Sequence, residues 1–125
     1  MALTLWIALG GAIGAVLRYA ANIGIARVAG GDFPWHTMLI NISGSLVMGL
    51  LITLMALRWN VSNDIRAFLT TGILGGYTTF SAFSLDFALL VERKTYALAG
   101  AYALGSVVLS LIAIFAGMAL ARALA

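Results

Sequence analysis

Four long apolar segments, very little charge and a glycine-rich interruption in the third segment predict an all-α membrane protein. It would have four transmembrane helices, the third broken near its centre. Hydrophobic residues make up 63% of the 125 and charged residues 9%, and the mean hydropathy is +1.09. A soluble domain this apolar would lack the polar residues to cover its surface. A spanning helix takes roughly 20 residues, so the chain holds about four of them with short connections. Residues 1–125 are therefore read as one transmembrane domain.

The first apolar run covers residues 3–29 and carries Gly10, Gly11, Gly14, Arg18 and Asn22. It lacks a preceding basic stretch and continues too far for a cleaved leader, so it is read as the first helix of the mature protein. Gly30, Gly31 and Asp32 form a turn, and Pro34 suits the first turn of the second helix, residues 35–57. A polar interval at residues 58–66 follows, in which Ser62 or Asn63 can cap the third helix. The third run covers residues 65–91, and its centre reads TTGILGGYTTFS at residues 70–81. Three glycines and four threonines between Thr70 and Thr79 weaken a helix. Broken backbone at membrane depth is tolerated only where it is buried in protein or lines a cavity. Glu92, Arg93 and Lys94 mark a turn before the last run, residues 95–121, which Arg122 closes. Trp6, Tyr19, Trp35, Trp59 and Tyr96 fall mostly near run ends, as interfacial anchors do.

Several function classes drop out. Seven basic and four acidic residues give a formal net charge of +3. The basic residues are scattered singly through apolar runs, so no nucleic-acid-binding patch forms. The lack of cysteine excludes disulfide and thiolate chemistry, leaving His36 as the one soft ligand. No acid–base pair, nucleophile elbow or metal cluster supports an enzyme. Four spans place both termini and the middle loop on one side with Arg58, Arg66 and Arg122, and loops one and three on the other with Arg27, Arg93 and Lys94. Three against three sets no orientation. Insertion both ways is permitted, and with it a dimer of oppositely oriented copies. The competing reading places Arg27 inside the helix and makes the balance fortuitous.

Within the runs the polar groups are neutral and few: Asn41, Ser43, Ser45, Thr78, Thr79, Ser81, Ser84, Tyr102, Ser106 and Ser110. Arg18 is the cation well inside a span, where it either snorkels to the interface or serves a vestibule or subunit contact. Asp86, five residues before Val91, is expected to reach the interface without a buried role. With the acid at the edge and donors at the centre, the interior favours an anion. Tyr102, Ser106 and Ser110 recur every four residues and share one helix face, either lining a path or packing between helices. Phe80 and Phe83 share a face after the break. Packing is the commoner role for such a pair, although two positive ring edges can also solvate a small anion weakly. Gly10 and Gly14 form a small-xxx-small pair assigned to helix packing. Carbonyls exposed between Gly75 and Thr79 suit a hard cation such as Na⁺.

The stretch GGYTTFSAFS at residues 75–84 resembles the signature of the Fluc, or CrcB, family of fluoride channels. GGxxGAxxRY from Gly10 to Tyr19, TxxxNxxGS from Thr37 to Ser45, and Tyr102, Ser106 and Ser110 extend the resemblance through all four runs, in order. The resemblance implies an antiparallel homodimer in membrane lipid, with two pores lined by both copies, passing fluoride passively down its gradient. It implies pore roles for Asn41, Phe80, Ser81, Phe83, Tyr102, Ser106 and Ser110, and a vestibule role for Arg18. The backbone at Gly75 and Thr78 would hold a structural Na⁺ at the dimer interface. The expected location is the plasma membrane of a prokaryote.

The chain departs from the family pattern at three places: Ala82 and Leu39 stand where threonine is common, and Asp86 stands where glutamate is. The rival reading is a small multidrug exporter, which also has about four helices and dual insertion. Its proton-coupled exchange depends on a first-span carboxylate, and residues 3–29 contain no Asp or Glu.

Overall fold

The computed structural model describes residues 2–125, which are helical apart from short connections. The elements are α1 (Ala2–Val28), α2 (Trp35–Leu57), α3 (Asn63–Ala67), a π-helical stretch Phe68–Leu74, α4 (Gly75–Tyr77), α5 (Phe80–Glu92) and α6 (Tyr96–Leu124). Four segments are long and apolar enough to cross a membrane: α1, α2, the composite third segment Asn63–Glu92, and α6.

The helix ends follow from local chemistry. Ser62 caps α3 as the sequence predicts, its hydroxyl accepting the Ile65 amide at 3.3 Å. Pro34 sits one position earlier than expected. It is the residue before α2, with its carbonyl accepting the Met38 amide at 3.3 Å, rather than a member of the first turn. The α5–α6 turn closes around Lys94, whose φ of 61° is left-handed. The Lys94 amide bonds Val91 O at 2.9 Å and the Thr95 amide bonds Leu90 O at 3.1 Å. That pair of bonds satisfies carbonyls at the α5 terminus, as glycine commonly arranges.

The helices pack as two close pairs, α2 on α6 and α1 on the third segment. Small residues make both approaches possible. A Cβ on Gly10 would lie 2.5 Å from Phe68 O and 2.9 Å from Gly72 Cα, and one on Gly14 would overlap the Ile73 carbonyl. Gly10 and Gly14 are therefore packing residues, as read from the sequence. On the other pair, a Cβ at Gly49 would overlap the Ile114 carbonyl and one at Gly117 the Leu46 carbonyl, contacts that sequence spacing did not reveal. Met38, Leu90, Ala99 and Tyr102 form a buried cluster flanked by Phe33, Ile42, Phe83 and Val91. Large apolar side chains such as Val16, Leu104, Ile112 and Phe115 face outward, as expected of helices whose solvent is hydrocarbon.

The third segment is the irregular one. Its π-helical stretch lies against α1 through the Gly10–Gly72 approach, and α4 ends after Tyr77. Thr78 (ψ 160°) and Thr79 (φ −155°, ψ 123°) are extended. The expected break is thus present, two residues long, and a π-helical stretch that was not anticipated precedes it.

Candidate functional site

The break strands backbone groups that an unbroken helix would pair, and side chains from α1, α2 and the break itself take them up. Asn41 on α2 does most of this. Its Oδ1 accepts the Thr79 amide at 2.8 Å and its Nδ2 donates to Thr79 O at 3.0 Å, so one side-chain amide replaces both ladder bonds of one residue. An amide nitrogen carries two hydrogens, which leaves one free. Arg18 on α1 donates from Nε to Gly76 O at 3.1 Å. Thr79 Oγ1 caps α5 by accepting the Ala82 amide at 3.1 Å, and Thr78 Oγ1 donates to Leu74 O at 2.9 Å. Tyr77 is tied to α2 by a 3.0 Å bond between its hydroxyl and Ser43 Oγ.

Among the carbonyls at the break that are not served in this way are those of Gly75 and Thr78. The amides that would bond Gly75 O and Thr78 O in a continuous helix are those of Thr79 and Ala82, and both are bonded elsewhere, to Asn41 Oδ1 and Thr79 Oγ1. Gly75 is exposed and Thr78 half-buried. Neutral oxygens freed at a helix break are donors that a hard cation accepts, so these residues fit the Na⁺ implied by the family resemblance.

An open groove of ≈ 320 Å³ runs beside the break between α2, α5 and α6. Asn41, Thr78, Phe80, Phe83, Ser106 and Ser110 are among its lining residues. The Ser106 and Ser110 hydroxyl oxygens are buried and bond nothing among the described residues. Buried polar atoms nearly always find partners, so two orphaned hydroxyls in one groove mark a place for something polar that the chain itself does not supply. Phe80 and Phe83 lie 5.5 Å apart between ring centroids; Phe80 is 77% exposed, while Phe83 leans on Tyr102 at 5.1 Å.

Two residues expected in the path stand elsewhere. Tyr102 is 0% exposed and lies behind Phe83, out of the groove lining. The four-residue spacing gave the correct helix face, but Phe83 covers this member of it. Ser81 lies outside the lining too, exposed and 3.3 Å from Thr79 Oγ1. Asp86 also departs from expectation. Instead of standing free at the interface, its Oδ2 accepts the Tyr102 hydroxyl at 3.0 Å. Sequence reasoning missed Thr79 as a cap and Ser43 as the anchor of Tyr77, since neither partner is recognisable without the tertiary contact.

Comparison with known proteins covers almost the whole chain. The sequence profile described as "CrcB-like protein, Camphor Resistance (CrcB)" matches residues 5–118. The chain is 52% identical over 118 residues to fluoride-specific ion channel FluC 1 of Nitrobacter hamburgensis, covering 94% of each protein. It is 55% identical over 116 residues to fluoride-specific ion channel FluC of Rhodopseudomonas palustris, covering 93% of this chain and 94% of that one. The FluC channel of Agrobacterium fabrum is 52% identical over 116 residues, 93% of each. Matches at this level, spanning all four helices, the break and the groove, place the chain in the CrcB family.

Proposed function

We propose that this protein is a fluoride channel of the bacterial plasma membrane, a passive multi-pass exporter that confers resistance to the anion. The observation that carries the reading is the pair of buried, unpartnered hydroxyls of Ser106 and Ser110 in the groove that Phe80, Phe83 and Asn41 also line. Fluoride is small and strongly hydrated, so a path for it must replace water's hydrogen bonds without holding the ion too tightly. Two hydroxyls and the remaining Asn41 amide hydrogen supply donors, and the ring edges of Phe80 and Phe83 supply weak positive potential. Tyr102 acts one layer back, setting the tilt of Phe83 while Asp86 holds its hydroxyl. Arg18 adds positive charge at the approach.

The working unit is an antiparallel pair. One chain offers an open groove rather than an enclosed passage, so the second copy supplies the missing wall and the pair carries two pores. Gly75 and Thr78 of each break face the pair's centre, where their carbonyls would hold a structural Na⁺. That ion supplies charge to fix the two breaks together. Likeness at 52–55% identity over nearly the whole chain to proteins named as fluoride-specific ion channels supports the substrate, and the lack of a first-span carboxylate disfavours a drug exporter.

Liposomes carrying the purified protein should release fluoride far faster than chloride, measured side by side with a fluoride electrode and a chloride electrode. Equal rates, or flux that needs a proton gradient, would overturn the channel reading.

A further inference from the structure

Arg18 is a cation inside a span whose described partner is a backbone carbonyl and not a carboxylate. The chain has four acidic residues. Asp32 lies in the first loop, Asp64 and Glu92 at helix ends, and Asp86 is engaged by Tyr102. Arg18 instead lies against the carbonyl end of the α3–α4 half-helix, whose partial negative charge offsets part of its own. Its bond falls on Gly76, between the two residues whose carbonyls are left without helical donors.

Resting on the cation reading above, we infer that Arg18 is a positioning residue of that carbonyl cradle and the source of its preference for a monovalent ion. By holding Gly76 O it withdraws one carbonyl from any ion and leaves those of Gly75 and Thr78 among the available donors. Carbonyl oxygens alone discriminate poorly between Na⁺ and Ca²⁺, which are hard ions of similar size. Adjacent residues are 3.8 Å apart along the chain, so the guanidinium lies within about 10 Å of an ion on those carbonyls. In apolar surroundings its repulsion is poorly screened, and it acts twice as strongly on a divalent ion as on a monovalent one. Arginine suits this role because its Nε–H direction is fixed by the planar fork.

The test is thermal unfolding of the whole protein, extracted and purified throughout in sodium chloride, calcium chloride or N-methylglucamine chloride at matched ionic strength. The native protein should unfold ~5 °C or more higher in sodium than in N-methylglucamine, and calcium should give no such rise. Arg18→Gln, which keeps an N–H donor without the charge, and Arg18→Met, which removes both, should each gain a saturable rise with calcium. Arg18→Lys should keep the native pattern. Native discrimination in whichever neutral variant folds would overturn the inference while leaving the cation site standing. A native protein indifferent to every cation would overturn both.

Discussion

At the residue scale, what separates transport from scaffolding is whether a polar group is already satisfied inside the chain. The Ser106 and Ser110 hydroxyls bond nothing, so replacing either by alanine removes a buried unpaired group and leaves the helix pairing untouched. Ser106→Ala and Ser110→Ala should therefore unfold at or above the native temperature while fluoride flux falls about tenfold, which corresponds to roughly 1.4 kcal/mol of lost stabilisation along the path. A matched loss of stability and flux would assign these hydroxyls to packing instead. Asn41 differs because its amide is committed to Thr79 on both sides. Asn41→Asp keeps the acceptor for the Thr79 amide, loses the donor to its carbonyl, and sets an anion beside an anion path. Flux should collapse and unfolding should come earlier by about 1–3 kcal/mol. Near-native fluoride efflux with the new carboxyl shown to be ionised would refute the pore role. Phe80→Ile and Phe83→Ile keep much of the apolar volume but remove the ring edge, so throughput should drop with assembly intact. Phe83, wedged on Tyr102, should also lose some stability, whereas Phe80, largely exposed in the single chain, should not.

At the element scale, the fold is two helix pairs brought to near backbone contact by glycine, and the break is placed by what α1 and α2 reach across to hold. Gly14→Ala and Gly49→Ala would each set a Cβ into a facing carbonyl, so each should lower stability by about 1–3 kcal/mol or prevent assembly. Gly24→Ala meets nothing within 4 Å and should be neutral or stabilising by up to about 1 kcal/mol, since alanine is the better helix former. Equal behaviour of all three in detergent unfolding would contradict the close-approach account. These contrasts also mark what was legible in the sequence. The four spans and the break followed from apolar run lengths and the glycine–threonine cluster, because the lipid environment enforces both locally. The π-helical stretch at Phe68–Leu74 did not, since it accompanies an approach between Gly10 and Gly72 that no local pattern encodes. Nor did the Asn41–Thr79 and Arg18–Gly76 bonds, whose partners are 38 and 58 residues apart. The burial of Tyr102 beneath Phe83 was not legible either, because helical periodicity says nothing about which neighbour will cover a side chain.

At the scale of the whole molecule, the open groove and the even distribution of charge are the two observations behind the proposed antiparallel pair. In that proposal a second copy closes the groove that one chain leaves open, and a chain with Arg58, Arg66 and Arg122 against Arg27, Arg93 and Lys94 receives no orientation from the positive-inside bias. Arg27 lies in the last turn of α1, close enough to the helix end to count with its loop. Insertion in both directions would then supply the two orientations that the proposed antiparallel pair consumes in equal number. A reporter fused after Ala125 should signal from both sides of the membrane, and two or three lysines added to one loop should bias it strongly to one side. Cells carrying only the biased version should lose fluoride efflux, because no antiparallel partner is present, and an oppositely biased version expressed beside it should restore the flux. The restored activity separates failure to pair from failure to fold, since neither biased chain would need repair to complement the other. A C-terminus found on one side only, in membranes with full fluoride efflux, would refute the antiparallel pair while leaving the groove and its donors as the path of the ion.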